Sequence, residues 1–349
     1  MSGPTRGRVA RGDPAPEALV VVNPAAGGSP LAVAGKVAEH LVREGFAPRL
    51  LTTAHRGEAV GAVSEAVAYD PRGGRSLALV LAVGGDGTVR EVVEGIARGT
   101  GSWPGGGGAG QRHDRQAPAL FVVPGGTGNS FYRALFADVP VKDALGMVLG
   151  PEHSGARLRR LDLGRLVELD QAVVLGASAG FLASVLDAAQ GTPEVLGRRR
   201  YEQAALELIG HPDDLGTDVR VLVDDELLVT GRLLLVALGG ARHRGGSFEL
   251  LPGSVLDDGL FDVCAIGMPS PARFGELFEA VAGGCHLGEP EVIYARGRKV
   301  VIVAAGDEAV PVEYDGDLMA GALPPGRSVT FEVIGGALAT WAGDPPPAG

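Results

Sequence analysis

Leu79–Arg98, LVLAVGGDGTVREVVEGIAR, sets an apolar run, a glycine hinge carrying one carboxylate, and a helical repeat end to end. Leu79 to Val83 reads as a strand buried on both faces, while Val89, Val92, Val93 and Ile96 recur at helical spacing. Gly84, Gly85 and Gly87 at the joint allow a tight turn with positive φ and close approach of a ligand to the backbone. The helix N-terminus that follows offers free N–H groups to an anion, so a phosphate is the expected guest. Asp86 suits such a place only with an accompanying cation, which makes it a candidate for Mg²⁺-nucleotide chemistry or for proton abstraction. The competing reading is a plain strand-to-helix turn with Asp86 as N-cap, and GGDG alone does not choose between them.

Upstream, Ala18 to Val22 is an apolar run ending in Asn23-Pro24-Ala25-Ala26-Gly27-Gly28. Leu31 to Val42 has the spacing of an amphipathic helix, Pro48 to Thr53 reads as a strand, and Ala59 to Val67 resumes helical periodicity after Gly57. Downstream, Leu120 to Val123 is another buried strand, running into Pro124-Gly125-Gly126-Thr127-Gly128-Asn129-Ser130-Phe131 and a helix from Tyr132. This βα alternation predicts a parallel sheet with Asn23, Thr53 and both glycine turns on its carboxyl edge. Thr100 to Gln116 lacks periodicity and reads as a mobile surface loop without a chemical role.

After Asp162-Leu163-Gly164 the pattern changes to short strands separated by turn residues, at Val173 to Leu175, Val219 to Val223, Leu227 to Leu238, Leu260 to Ile266, Val300 to Ala304 and Ser328 to Val333. A mostly antiparallel β-sandwich is expected there. The division by sequence is a disordered tail at 1–17, an α/β nucleotide-binding domain at 18–155 with a flexible loop at 100–116, a sandwich at 156–335, and a C-terminal tail at 336–349 whose start packs back on the first domain.

Composition narrows the function. The chain has 349 residues, 45% hydrophobic and 21% charged, enough for two domains with sizeable cores. A net charge of −11 argues against nucleic acid as a partner. Two cysteines, Cys264 and Cys285, form no disulfide framework and fit a reducing compartment. The N-terminus lacks the apolar core of a signal peptide, and no uncharged run reaches membrane-spanning length, so a cytoplasmic protein with at most peripheral membrane contact is expected. Arginine clusters at Arg157/Arg159/Arg160, at Arg198/Arg199/Arg200 and around His243 at Arg242/Arg244 are solvated faces or local membrane contacts.

Asn23-Pro24 with Gly27, Thr53 before Gly57, Gly84-Gly85-Asp86-Gly87-Thr88 with Glu91, and Gly126-Thr127-Gly128-Asn129 with Phe131 resemble, in spacing and order, the motifs of the diacylglycerol kinase catalytic family, which includes bacterial lipid kinases and sphingosine kinases. The resemblance runs from residue 18 to the 330s. It implies a nucleotide-binding domain similar to NAD kinases and phosphofructokinases, then a lipid-holding β-sandwich, with ATP and Mg²⁺ as cofactors and a lipid at the inner membrane face as acceptor. These N-terminal motif residues would bind the nucleotide. Gly197-Arg198-Arg199-Arg200-Tyr201, leading into Ala204 to Ile209, resembles the family's helix beside the lipid cleft; a structural amphipathic helix is the alternative. Asp258, with the carbonyls of Val255 and Leu260, matches a structural Mg²⁺ turn, or else is a simple Asp-Gly β-turn. Val312-Glu313-Tyr314-Asp315-Gly316-Asp317 matches the Asp-Gly-Glu motif, whose Glu is the general base, so Asp317 is the candidate here and Asp86 the other catalytic carboxylate. Two departures stand out: Ser130 replaces the family's Asp, and Asp317 is one methylene shorter than Glu. They leave open a catalytically weakened binding protein, beside a small-molecule kinase of the NAD kinase type.

Overall fold

The computed structural model describes residues 15–27, 29–68, 77–105, 117–126, 128–150, 155–191, 199–211, 215–243 and 248–343. Gly28, Thr127, Gly197, Arg198, Arg244, most of the N-terminal tail and 106–116 of the loop, all singled out above, lie outside them. Chain contacts divide the protein into two compact units, one of Met1–Leu161 with Gly336–Gly349, the other of Asp162–Gly335.

The first unit is built on parallel strands β1 (Glu17–Val22), β2 (Ala47–Thr52), β3 (Leu77–Gly84) and β4 (Ala119–Pro124), in the order β2-β1-β3-β4. Helices α1 (Pro30–Arg43), α2 (Glu58–Ala68) and α3 (Asp86–Gly99) connect them, and α4 (Ser130–Phe136) and α5 (Val141–Leu149) follow. β1, β3 and β4 are almost wholly buried because every position after Glu17 is apolar, as a parallel sheet covered on both faces requires. The chain runs from β1 to β2 on one side and then crosses back to β3 on the other side of β1. The carboxyl ends of β1 and β3 therefore flank the switch point where open α/β sheets bind ligands.

Two expectations change in this unit. Trp103, inside the supposed surface loop, is 3% exposed and stacks under the Arg98 guanidinium at 4.7 Å. A lone tryptophan in a glycine tract carries no period, yet its large indole gains enough from burial to fix it in place. The segment from 336, expected as a tail whose start packs back on the first domain, does pack there but as strand, the end of β15 (Ser328–Gly343), whose Thr340 pairs with Leu120 of β4 in parallel. Ala337 to Ala342 are buried throughout, which is why this stretch is held in a sheet.

The second unit is a mostly antiparallel sandwich made from the end of β5 (Ala156–Leu166), β6 (Gln171–Val173), β7 (Gly176–Gly180), β8 (Thr217–Val223), β9 (Glu226–Gly239), β10 (Phe261–Gly267), β11 (Val292–Gly297), β12 (Lys299–Ala304), β13 (Val312–Tyr314), β14 (Asp317–Leu318) and the start of β15. Along β9, Leu233, Val236 and Leu238 enter the sandwich core, while Leu234, Leu235 and Ala237 join a second core formed with helices. Those helices are α6 (Phe181–Gln190), α7 (Arg199–Ile209) and α8 (Phe274–Ala282), whose Phe181, Ala204 and Leu277 pack there. Only the α7 region was legible as helix. β7, with sequence GASAG, was missed because Gly, Ala and Ser have little strand preference; its burial on every residue comes from β9 and β13 on either side.

Candidate functional site

In the first unit the two glycine turns lie against each other. The Gly125 N–H donates to the Gly84 carbonyl at 2.8 Å. A Cβ on Gly126 would stand 2.6 Å from the Gly85 Cα, and one on Gly84 2.6 Å from the Thr88 Oγ1. Gly126 is therefore required by the close approach of one turn to the other, and Gly84 by the Thr88 side chain that packs over it. The positive φ expected of Gly84, Gly85 and Gly87 is absent, and Gly87 is simply the second residue of α3. The left-handed positions are Asn129, at φ 52°, and Gly57, at φ 85°.

Asp86 joins the turns. Its Oδ2 accepts the Ser130 N–H at 3.0 Å and its Oδ1 accepts the Phe131 N–H at 3.1 Å. The carboxylate thus satisfies two of the open donors at the start of α4, while its own helix α3 has no side-chain cap. The sequence placed it as N-cap of α3 or as a metal or proton site; the geometry makes it a clamp between the turns. Asn129 completes this clamp, its Oδ1 accepting the Gly126 N–H at 2.9 Å and its Nδ2 donating to the Gly126 carbonyl at 2.8 Å.

Asn23 braces the turn after β1: its Oδ1 accepts the Ala25 N–H at 2.9 Å, and its Nδ2 donates to the Thr88 Oγ1 at 3.3 Å. Pro24 follows in this turn. Thr53 is buried, with its N–H at 3.0 Å and its Oγ1 at 3.4 Å from the Val22 carbonyl. Glu91 reaches the Thr53–Gly57 loop, accepting the Gly57 N–H at 2.8 Å, and Glu58 accepts the Ala54 N–H at 2.6 Å. That backbone bond is the main cause holding the Glu58 carboxyl below its ordinary range. Asn23, Thr88 and the glycine turns are joined in one hydrogen-bonded edge, and Glu91 braces the neighbouring loop. A cleft of about 360 Å³ opens beside this edge, lined by Gly27, Pro30, Val33, Val83, Pro124, Gly125 and Gly126. Backbone exposed by glycine in a concave wall suits an anionic group whose bulk a side chain would displace.

In the second unit the Asp315-Gly316 turn is held from two sides. Asp315, at φ 50°, accepts the N–H groups of Val174 at 2.7 Å, Leu175 at 2.7 Å and Gly176 at 3.2 Å. Glu313 is buried and accepts the Ser178 hydroxyl at 2.6 Å and the Gly316 N–H at 3.0 Å. Asp317 opens β14 opposite Tyr314, half-buried, so the side chain proposed as base stands just beyond a pinned turn. The roles of Glu313 and Asp315 escaped the sequence reading, although both lie in the motif quoted; the long-range partners Ser178 and Val174 to Gly176 carry no local signal.

The metal turn fits less well. Asp258 accepts the Leu260 N–H at 3.1 Å on one oxygen and the Arg296 guanidinium on the other. Among the described residues no group of three or more His, Cys, Asp or Glu gathers around a point, there or elsewhere. Asp258 with the Val255 and Leu260 carbonyls is too poor a set beside a guanidinium to hold Mg²⁺, which asks for six oxygens. The arginine clusters are also partly engaged: Arg200 donates to the Tyr201 hydroxyl at 2.6 Å, Arg160 to the Gly336 carbonyl at 3.2 Å, and Arg242 pairs with Glu249 at 2.6 Å. Between α6, α8 and β9–β10 lies a small cavity of about 50 Å³ with an apolar lining that includes Phe181, Leu234, Phe248, Ile266, Phe274 and Phe278. Among the described residues no helix is long and apolar enough to cross a membrane.

Comparison with known proteins agrees with this architecture. Residues 17–163 match the family profile described as the diacylglycerol kinase catalytic domain, and 176–341 match the YegS C-terminal NAD kinase beta sandwich-like domain. A Staphylococcus epidermidis protein named diacylglycerol kinase is 28% identical over 245 residues, covering 69% of this chain and 70% of that protein. One of the same name from Staphylococcus haemolyticus is 26% identical over 283 residues, 80% of this chain and 76% of the other. A crystal structure of a diacylglycerol kinase from Bacillus anthracis superposes with a TM-score of 0.62 at 19% identity, over 95% of this chain and 98% of that one, which speaks for the fold.

Proposed function

Because this chain belongs to the diacylglycerol kinase catalytic-domain family, we propose that it is a lipid kinase, moving the γ-phosphoryl group of ATP to the hydroxyl of a diacylglycerol-like lipid. The observation that carries the reading is the pair of interlocked glycine turns beside the cleft in the first unit, whose contact any Cβ at Gly126 would force apart. Backbone N–H groups and α-helix starts at this edge orient the phosphates, and phosphoryl transfer of this type depends chiefly on positioning and charge neutralisation. Mg²⁺ supplies that neutralisation when it arrives with the nucleotide. Asp86 acts by fixing the cradle through the Ser130 and Phe131 N–H groups.

The cavity between α6, α8 and β9–β10 has an apolar lining that suits an acyl chain better than a polar acceptor, and at about 50 Å³ it must widen to admit one. Asp317 takes the proton of the acceptor hydroxyl, and the Asp315 and Glu313 bonds hold its turn in place. The protein then works as a peripheral visitor at the cytoplasmic membrane face, with no nucleic acid partner. Labelled ATP with mixed micelles of diacylglycerol, sphingosine or phosphatidylglycerol, and separately with NAD, tests the reading. Label is expected in a lipid; label in NAD, or ATP binding with no transfer, refutes it. In Asp317→Asn kcat should fall about 10²–10⁴-fold, as for loss of a general base, while ATP affinity holds.

A further inference from the structure

We propose that in this chain Arg296 takes the place of the metal ion that the family resemblance expects at the Asp257-Asp258-Gly259 turn. The register of β10 and β11 sets Asp262 directly opposite Arg296, so carboxylate and guanidinium share one face of the hairpin by construction. The Arg296 Nε stands 3.2 Å from the Asp262 Oδ1 as an ion pair, and its Nη2 donates to the Asp258 Oδ2. One cation thereby ties the turn to the strand that follows it. Tyr294, two residues earlier on the same face, adds its hydroxyl to the Asp262 Oδ1 at 2.9 Å.

Little is left for an ion. Both oxygens of Asp258 already accept a donor, and a divalent cation against them would stand beside a guanidinium of like sign. Asp262 is fully buried and its Oδ2 has no hydrogen-bond partner, but one oxygen is far short of an octahedral set. Burial pushes the Asp262 carboxyl up, and the Tyr294 hydroxyl and the Arg296 charge oppose that push. Arginine suits the task because its planar fork can serve two carboxylates at once, needs no loading, and stays charged at any working pH.

The inference rests on the second unit alone and stands or falls separately from the kinase reading, because its readouts are metal binding and stability. Nucleotide-free full-length protein is titrated with Mn²⁺ and followed by electron paramagnetic resonance, with thermal unfolding measured in EDTA and in Mg²⁺. The unaltered protein should show no saturable Mn²⁺ site and the same Tm in both buffers. Arg296→Met should lower the Tm in EDTA, recover part of it in Mg²⁺, and gain one Mn²⁺ site that a further Asp258→Asn removes. A saturable site in the unaltered protein that Asp258→Asn abolishes would overturn the proposal, and this titration decides it even if Arg296→Met fails to fold. An unchanged Tm in Arg296→Met overturns it too, and so does a loss of Tm without a new Mn²⁺ site, which would reduce Arg296 to an ordinary ion pair.

Discussion

Replacing Gly126 by alanine probes the contact on which the phosphate cradle depends. The new Cβ would lie 2.6 Å from the Gly85 Cα, 3.4 Å from the Asn129 Oδ1 and 3.6 Å from the Gly85 nitrogen. Carbon atoms prefer about 3.5–4.0 Å, so one turn must retreat from the other by roughly 1 Å. The obstacle is backbone, which no rotamer change can move. Overpacking of this kind costs about 1–3 kcal/mol, and strain on the two Asn129 bonds to Gly126 adds to it. For a unit of this size each kcal/mol lowers Tm by about 2–4 °C, so a drop of about 2–12 °C is expected. A 1 Å displacement of positioning groups can cost about 10²-fold in rate, which sets the expected loss in kcat/KM for ATP. Gly87→Ala is the control: nothing lies within 4 Å of its Cβ and its φ is ordinary, so stability should hold or rise by about 0.5–1 kcal/mol. Any fall in ATP affinity there reports ligand in that open space. Calorimetric ATP titration and thermal unfolding of both variants make the measurement. Unchanged Tm and unchanged ATP affinity in Gly126→Ala would refute the interlocked-turn argument.

Asp315→Asn leaves one acceptor oxygen for the N–H groups of Val174, Leu175 and Gly176 and turns an amide NH₂ toward one of them; a loss of about 2–3 kcal/mol in urea unfolding is expected, and a loss under 0.5 would contradict the clamp. Trp103→Ala should cost about 3–5 kcal/mol, whereas shortening the glycine tract beyond it should leave stability near the parent's, a contrast that thermal melts read directly. His286 is fully buried, its Nε2 at 3.2 Å from the Leu250 carbonyl, and desolvation holds its pKa below the ordinary value. Below pH ~6.5 the unfolded chain binds a proton that the folded chain resists, so His286 lowers stability as pH falls, by at most about 1.4 kcal/mol per pH unit. His286→Gln should remove that part of the slope between pH 7.5 and 5.5, and parallel urea curves for the two proteins would exclude the histidine as its source.

Much of the fold was legible because it is written in local periods. Leu79 to Val83 and Leu120 to Val123 can only be strands covered on both faces, and the helical repeats after each glycine turn force the chain back for another parallel strand. That alternation by itself puts Asn23, Thr53 and the two glycine turns on one carboxyl edge. What each residue does there depended on partners that no local pattern specifies. Asp86 reads as a cap for the helix it begins, yet it caps α4, 44 residues on, because the sheet sets β3 beside β4 and brings the two turns together. Gly84, Gly85 and Gly87 read as hinges of positive φ, yet none adopts it, and Gly85 with Gly126 instead lets two backbones touch. GASAG carries no strand signal and is a buried strand, since its neighbours in the sheet supply the burial that its own side chains cannot announce. Glu313 met Ser178, and Arg296 met Asp262, through antiparallel register. A shift of one residue would send each pair to opposite faces. Sequence periodicity decides which face of an element is buried; only the pairing of distant strands decides which charged or polar group waits on it.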